Sequence, residues 1–310
     1  MRNIVKILVP VVLLSLSGCT VHLTNDVFSG TDEDFTHGTE FRYQKKVEEA
    51  NSTLRSIAEA LPDIPFSEQK EVTHVSAKIG QHLYTPDDLR SSEIIEDDNP
   101  YAGWLFGEVR RQVLTEDEKK EVGVAVGLIG KYSFAEHAQK FVHNDLGKGT
   151  DPKGWHNQLD HEPGLVLSAT REKVFHRFSP GGLEADIRHG AEVRLGNIHT
   201  DLKYGPELRF GKGLPNFNGY DERWSLHGYV GANARVVGRN IFYDGNTFRD
   251  SHSVGAEPLV GELTAGGITQ YEGWEVGLHY KYTSPEHERR ERGGHSIWML
   301  SISKALSLFD

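Results

Sequence analysis

The alternation of large apolar side chains with small or polar ones is the feature that most limits how this chain can fold. In residues 121–128, EVGVAVGL, the larger side chains all fall on alternate positions, which places them on one face of a β-strand. After residue 20, no stretch reaches the ~18 consecutive apolar residues that a membrane-spanning helix needs. The pattern is therefore typical either of a soluble β protein or of a transmembrane barrel, whose strands alternate apolar and polar residues.

Twelve segments have strand character, and their number predicts how the sheet closes. They lie near residues 20–26, 38–47, 72–84, 101–113, 120–132, 163–175, 181–195, 203–213, 223–237, 256–270, 273–284 and 295–308. An even number of antiparallel strands can close without leaving an unpaired edge in lipid. We therefore predict an all-β, twelve-stranded antiparallel transmembrane β-barrel, with a soluble sandwich or a lipocalin-like barrel as the alternative.

Two segments between the predicted strands are helical in character. Residues 47–61, rich in alanine, glutamate and leucine, predict a helical insertion between strands two and three. Residues 134–146 follow Ser133 in a capping-box pattern and end at Gly147, which is a common residue just after a helix. We expect this second helix to lie in an extracellular loop.

The first 18 residues are predicted to be a signal peptide and not part of the fold. A basic start precedes a short apolar run over residues 7–16, and Leu-Ser-Gly-Cys at 16–19 is similar to a lipoprotein cleavage site. We expect Cys19 to be the first mature residue and to be lipidated, with an ordinary cleavage nearby as the alternative. Residues 19–310 then form one barrel domain.

Cysteine content and charge exclude several classes of function. Cys19 is the only cysteine, so disulfides within the chain, cysteine-based zinc sites and a thiol nucleophile in the folded domain are excluded. The net charge is −11, and without residues 1–18, which hold two basic and no acidic residues, 32 basic against 45 acidic residues give −13. Nucleic acid is therefore not an expected partner, because phosphate binding needs a basic face. An anionic lipid remains compatible with this charge where a metal or a basic cluster bridges the two.

Polar motifs concentrate in the loops that follow odd-numbered strands. With the N-terminus in the periplasm, these loops face outward, and they span residues 27–37, 85–100, 133–162, 196–202, 239–255 and 285–294. The first three contain most of the unusual polar residues. Because functional residues are often held on loops by a rigid scaffold, we predict a site at the outer rim of the barrel.

The order of these motifs resembles the lipid A 3′-O-deacylase family. The matching segments, from about residue 22 to the C-terminus, are Asn-Asp at 25–26, Asp-Phe-Thr-His-Gly at 34–38, Pro-Tyr-Ala-Gly-Trp at 100–104, Gln139 with His143, Gly-Trp-His-Asn-Gln at 154–158, Glu-Pro at 162–163, Leu-Gly-Asn at 195–197 with Thr200, and Asp-Gly-Asn at 244–246. The resemblance implies a barrel in the outer membrane of a Gram-negative cell. It also implies hydrolysis of the ester of the 3′-linked acyloxyacyl chain of lipid A, within lipopolysaccharide, assisted by calcium. We expect the protein to be a monomer.

The resemblance assigns catalytic roles to five residues. His143 is expected to be the general base, and histidine suits proton transfer from water near neutral pH; a solvated helix histidine is the alternative. Gln139, one turn earlier on the same helix face, is expected to orient the ring or bind the ester. Asn25 is expected to donate to the developing oxyanion, and Thr36 to bind substrate or water. Asp26 is expected to bind calcium or hold the site together, although Asn-Asp pairs also form ordinary turns.

The ligands of calcium and of the lipid phosphates are less clearly marked. Calcium needs several hard oxygen ligands, and the carboxylate that the family implies is displaced here, so Asp26, Asp145 and Asp151 are the candidates. The loop after strand three is acidic, with Arg90 its basic residue and Asn99 standing where an arginine is expected. We expect Arg90 and the arginines of loop 285–294 to grip phosphates bidentately, with a solvated charged loop as the alternative. These arginines are Arg289, Arg290 and Arg292.

Two tryptophans lie in the motifs near the predicted rim. Trp104 and Trp155 are expected to anchor the rim at the lipid interface, with Trp155 also binding substrate, and core packing of the rim is the alternative. A phospholipase A-like esterase is a weaker interpretation, because His143 is followed by Asn144 and Asp145 instead of a His-x-Ser arrangement. A barrel that transports or binds without catalysis, or that has lost its activity, is the non-enzymatic alternative.

Overall fold

The strands of this protein form a closed antiparallel barrel. The structure is a computed structural model, which describes residues 18–25, 34–65, 72–145, 150–219, 223–289 and 293–304. In these residues each strand pairs with its neighbours in the chain, and β1 pairs with β12 to close the sheet. The strands are β1 (Cys19–Asn25), β2 (Asp34–Lys46), β3 (His74–Thr85), β4 (Ala102–Leu114), β5 (Glu118–Ile129), β6 (Glu162–Phe178), β7 (Glu184–Gly196), β8 (His199–Lys212), β9 (Trp224–Asn240), β10 (Leu259–Tyr271), β11 (Trp274–Thr283) and β12 (His295–Lys304). The predicted fold class is confirmed.

Helices occur only as short segments in the described residues. They are α1 (Ser52–Glu59), α2 (Ala135–Lys140), which continues as a π-helical segment over Phe141–Asp145, and α3 (Ile241–Asp244). Single 3₁₀ turns lie at Val47–Glu49, Gly130–Ser133, Trp155–Asn157 and Pro180–Gly182. None of the described helices has the length and the apolar character that a membrane crossing requires.

The predicted capping box of the second helix is wrong. The hydroxyl of Ser133 donates to the carbonyl of Gly130 at 2.6 Å, so it serves the preceding 3₁₀ turn. The N-cap of α2 is Phe134, which has a left-handed backbone conformation (φ 58°, ψ 18°) and no side-chain cap. The predicted end of this helix, Gly147, lies outside the described residues.

The two faces of the barrel wall are distinguished by exposure and charge. Leu23, Phe41 and Ile79 are 40%, 52% and 56% exposed, which identifies the outward, lipid-facing side of β1, β2 and β3. The alternate residues point inward and form ion pairs, such as Lys78 with Glu108 at 3.0 Å. The barrel therefore has an apolar outer wall and a charged lumen.

The lengths of the connections give the orientation of the barrel. At one end, β4–β5, β6–β7 and β10–β11 are joined by residues 115–117, 179–183 and 272–273. At the other end, the four long loops span residues 86–101, 130–161, 241–258 and 284–294. Outer-membrane barrels have short periplasmic turns and longer extracellular loops, so the long loops mark the extracellular end.

Aromatic and aliphatic side chains fill the lumen at its extracellular end. The ring of Phe242, from α3, stacks on Tyr84 of β3 with 3.7 Å between ring centroids. Trp104 and Phe106 of β4 are stacked at 4.1 Å in the same buried cluster. Because these side chains come from opposite parts of the wall, they hold the extracellular end of the barrel together.

The predicted insertion between β2 and β3 packs against the outside of the wall. Leu54 and Ala58 of α1 are buried against Val75 of β3, with Tyr43 and Val109 packed beside them. These wall residues are on the outward face, at the periplasmic end. The insertion thus covers part of the surface that the strands would otherwise present to lipid.

Candidate active site

Asn25, the first of the predicted site residues along the chain, lies on the outward face of the wall. Asn25 is the last residue of β1, two positions after the outward Leu23, and it is the register partner of His37 on β2. His37 in turn pairs with Leu83 on β3, and Leu83 pairs with Gly103 on β4. Register partners share a face of the sheet, so this row across four strands faces away from the lumen, at the extracellular end.

A β-bulge positions Thr36. The pairing of β2 with β3 shifts between Phe35 and His37, so Thr36 is the extra residue. Its hydroxyl lies 2.6 Å from the hydroxyl of Thr85, and the two side chains are buried. The Asn25 amide donates to the carbonyl of Thr36 at 3.4 Å. The structure therefore brings Asn25 and Thr36 together, as the motif order implied.

The loop between β5 and β6 packs on the part of this row formed by Leu83 of β3 and Gly103 of β4. An added Cβ at Gly103 would lie 2.2 Å from both Ala135 Cβ and Ser133 Oγ, so only glycine allows α2 to approach β4 this closely. Gln81 on β3 donates to the Ser133 carbonyl at 2.6 Å. The buried cluster under the loop consists of Leu83, Leu89, Tyr101, Ala135 and Trp155.

Gln139 lies on α2 within this loop, and its side chain is buried. The oxygen of its amide is held by a hydrogen bond. Its Oε1 accepts a hydrogen bond from Trp155 Nε1 at 2.7 Å. Its Nε2 is buried and has no hydrogen-bond partner among the described residues. Burying an amide N–H group without a hydrogen-bond acceptor costs free energy. The Gln139 N–H group is therefore suited to donate a hydrogen bond to an oxygen of a ligand.

His143 lies one turn further on, in the π-helical segment, and is also buried. Its Nδ1 is 2.5 Å from the backbone carbonyl of Thr150. A carbonyl oxygen only accepts hydrogen bonds, so Nδ1 carries the proton in the neutral ring and Nε2 presents the lone pair. Single π turns are frequent at functional sites, and this one sets the direction of the His143 ring relative to Gln139.

Comparison with known proteins identifies the family. A family model described as "Outer membrane protein LpxR" matches residues 14–306. The chain belongs to the LpxR family. This confirms the resemblance found in the motifs, and it places the protein in the outer membrane of a Gram-negative bacterium, as predicted.

Several solved structures of outer-membrane proteins are similar to this LpxR-family protein. LpxR from Salmonella typhimurium is similar with a TM-score of 0.75 and 16% identity, covering 93% of this chain and 99% of that one. The β domain of the Bordetella autotransporter BrkA gives 0.43 and 11%, covering 93% and 99%. The NanC porin gives 0.39 and 8%, covering 93% and 100%. No curated protein sequence matches the chain.

Only part of the predicted metal site can be located in this LpxR-family protein. Asp26 and the side chain of Asp145 lie outside the described residues. Asp151 is exposed and accepts a hydrogen bond from Asn144 Nδ2 at 2.8 Å. Among the described residues, no three histidine, cysteine, aspartate or glutamate side chains lie close enough together to hold a metal ion.

Two of the predicted phosphate-binding arginines, Arg90 and Arg289, lie within the described residues. Arg90 is exposed on the loop between β3 and β4. The guanidinium of Arg289 donates to the carbonyl of Glu96 and lies 3.7 Å from the Asp97 carboxylate, so it binds the acidic loop. Arg290 and Arg292 lie outside the described residues.

The predicted interface-anchor role of the two tryptophans is wrong. Trp104 is 4% exposed and points into the lumen, and Trp155 is 1% exposed under the β5–β6 loop. Core packing of the rim, the alternative, is correct. The indole of Trp155 positions Gln139 and is covered on the outside by its own loop.

Several residues that organise the site were missed by the sequence analysis. Thr85 and Thr150 contact Thr36 and His143, but a lone threonine has no sequence signal that would single it out. Glu162 accepts from Asn246 Nδ2 and the Thr247 backbone N–H, each at 3.0 Å, and so joins the start of β6 to the β9–β10 loop. The Asp-Gly-Asn motif at 244–246 was the available signal for this contact.

Proposed function

We propose that this protein is a lipid A 3′-O-deacylase that works at the outer wall of its barrel. One observation carries the proposal: Asn25 and Thr36 lie together on the outward face at the extracellular end, and the β5–β6 loop, which holds Gln139 and His143, packs on the same face of the wall at Leu83 and Gly103. A lipid of the outer leaflet would bring its ester bonds to this part of the wall. Family membership supports the same conclusion, with lipopolysaccharide as the substrate.

The proposed chemistry is hydrolysis by an activated water molecule. Nε2 of His143 takes a proton from water as the hydroxide attacks the ester carbonyl carbon. The bond between that carbon and the sugar oxygen then breaks, and the proton passes to the sugar oxygen. The products are a free acyloxyacyl acid and a lipid A molecule with a 3′ hydroxyl group.

Two amide groups are suited to stabilise the charge that develops on the carbonyl oxygen. Gln139 Nε2 is buried and without a partner in the described structure. The Asn25 amide Nδ2 lies 3.4 Å from the Thr36 carbonyl oxygen and 3.4 Å from His37 Nδ1, and both distances are long for hydrogen bonds. Preorganised donors of this kind are worth about 3–4 kcal/mol each in acyl transfer. We propose that both donate to the oxyanion, and that the Thr36 hydroxyl orients the substrate or water.

Calcium assistance is a separate part of the proposal. Asp26, Asp145 and Asp151 are the proposed ligands, and the described residues hold no group of three histidine, cysteine, aspartate or glutamate side chains that could bind a metal ion. No catalytic step above is therefore assigned to the metal. We expect chelation with EGTA to abolish deacylation by the purified protein and added calcium to restore it. Full activity in EGTA would remove calcium from the proposal and leave the histidine chemistry in place.

The interior of the barrel favours catalysis over transport. A polar cavity of about 470 Å³ occupies the lumen, but Tyr84, Trp104, Phe106 and Phe242 pack across its extracellular end. A solute would have to displace this buried cluster to pass. The outward site needs no such rearrangement.

A histidine substitution with a matched control tests the function. His143→Gln keeps size and polarity but removes the basic nitrogen, and His137→Gln changes an exposed histidine on the same helix. Each variant is expressed in a Gram-negative host, and lipid A is analysed by mass spectrometry. We expect loss of the 3′ acyloxyacyl group with the wild type and with His137→Gln, but at least a hundredfold slower with His143→Gln.

Three results would contradict parts of this proposal. Lipid A that keeps its mass with every variant, in the host and after incubation with purified protein, would refute the enzyme. A mass loss from another ester would change the substrate position. Deacylation that survives His143→Gln would refute the mechanism and keep the class of reaction.

A further inference from the structure

Three exposed aromatic side chains stand on the loop that covers the site. Tyr132, Phe134 and Phe141 are 47%, 57% and 49% exposed. Phe134 and Phe141 are seven positions apart, about two helical turns, so they lie on the same side of α2. Ala135, Gln139 and His143, which are buried, form the opposite side that faces the barrel. The helix therefore has one face for the site and one aromatic face.

The backbone holds Phe134 in an unfavourable conformation. Its φ of 58° is in the left-handed region, which costs a residue other than glycine about 1–3 kcal/mol. Its ring approaches the ring of His137 edge-on, with centroids 6.2 Å apart. The ring is 57% exposed, so the described residues leave much of its surface available to a partner outside the chain.

The aromatic face continues the lipid-facing wall of the barrel. Val126 and Leu128, the last outward residues of β5, are 56% and 44% exposed. The chain then passes directly into Gly130–Ser133 and α2, which pack on the outward face of β4 at Gly103, so the exposed Tyr132 and Phe134 follow the outer surface at the extracellular end. Aromatic residues at the ends of the apolar belt are typical of barrel proteins at the membrane interface.

Basic side chains accompany the aromatic ones. Lys131 Nζ lies 5.1 Å from the centre of the Tyr132 ring. Lys140 pairs with Glu136 at 2.6 Å, on the solvent side of the same helix. Lysine stems that lie along apolar surface with their charges in the headgroup layer are a common arrangement at membrane surfaces.

We propose that Tyr132, Phe134 and Phe141 insert into the outer leaflet, among the lipid acyl chains just below the headgroups. The β5–β6 loop is then held against the membrane by its own aromatic face, and the segment with Gln139 and His143 is held at the depth of the acyl esters. The inference depends on the outer-membrane location and on the orientation of the barrel. It does not depend on the proposed reaction.

Spin labels at two positions test the depth of insertion. Cys19→Ser removes the only cysteine, and Phe134→Cys or Phe141→Cys then takes a nitroxide label. Leu128→Cys provides the lipid-facing control on the barrel wall, and Glu93→Cys, exposed on the β3–β4 loop, provides the aqueous control. The labelled proteins are reconstituted in phosphatidylcholine–phosphatidylglycerol vesicles, and collision rates with oxygen and with a neutral nickel chelate are measured by electron paramagnetic resonance.

Oxygen concentrates in the acyl region and the nickel chelate in water, so their collision ratio reports depth. At positions 134 and 141 we expect ratios within about twofold of position 128 and several-fold above position 93, because all three would lie in the apolar belt. A ratio at either position that equals the ratio at position 93 overturns the proposal. Heat-modifiable gel mobility confirms that each labelled barrel is folded, and the measurement needs no catalytic activity.

Discussion

The hydrogen bond between Trp155 and Gln139 provides a sharp test of how the site is positioned. The indole Nε1 donates to Gln139 Oε1 at 2.7 Å, and the two side chains are 1% and 3% exposed. Trp155→Phe removes the donor and keeps an aromatic ring in the cluster with Leu83 and Tyr101. The amide of Gln139 is then free to turn away from its present orientation.

The expected effect follows from the burial of this pair. A buried acceptor that loses its partner costs about 1–3 kcal/mol, and Gln139 Nε2 already has no partner in the described structure. If the orientation of the amide that catalysis needs is destabilised by this free energy, the rate of deacylation falls roughly 5- to 150-fold, since 1.4 kcal/mol is a factor of ten. The smaller ring adds a local packing loss that lowers the stability of the loop.

The assay follows the disappearance of intact lipid A by mass spectrometry, with purified folded protein. Trp224→Phe is the control, because Trp224 is 46% exposed on the outer wall of β9. Gln139→Leu and the double variant complete a cycle, in which we expect the two losses not to add. A Trp155→Phe rate equal to that of Trp224→Phe would show that this hydrogen bond does not position the catalytic amide.

Two further predictions concern stability and loop order. Thr36→Val and Thr85→Val should each lower the free energy of unfolding by about 1–2 kcal/mol, and the double variant by less than the sum, because they share one buried hydroxyl pair. Denaturant titration in detergent micelles measures this, and additive effects would contradict it. Glu162→Ala should loosen the β9–β10 loop held through Asn246 and Thr247 and speed protease cleavage within residues 241–258. Unchanged cleavage would show that other contacts hold the loop.

The strands and their closure could be predicted from the sequence because alternation is a local signal. Residues 121–128 identify β5 without any knowledge of its neighbours. The same period does not show which face of a strand is outward. Asn25 could be placed on the lipid side of the wall only from its pairing with His37 and from the exposure of Leu23, two residues earlier on the same strand. The prediction of a site at the rim therefore did not include the finding that Asn25 is on the outward face of the wall.

Helix ends and loop burial were harder to predict because they depend on tertiary contacts. Ser133 fits a capping pattern in sequence, yet the 3₁₀ turn before it takes the hydroxyl for Gly130. Trp155 resembles an interface tryptophan until the loop folds back against β3 and β4. Gln139 and His143 were found through the order of motifs, and their burial and hydrogen bonds became visible only in the folded loop.

The cluster of Tyr84, Trp104, Phe106 and Phe242 inside the barrel has a consequence for the cell. A twelve-stranded barrel in the outer membrane would be a channel through the permeability barrier of the cell if its lumen were open. Here buried rings from β3, β4 and α3 close the extracellular mouth. The protein can therefore be abundant in the membrane without becoming a leak for small solutes.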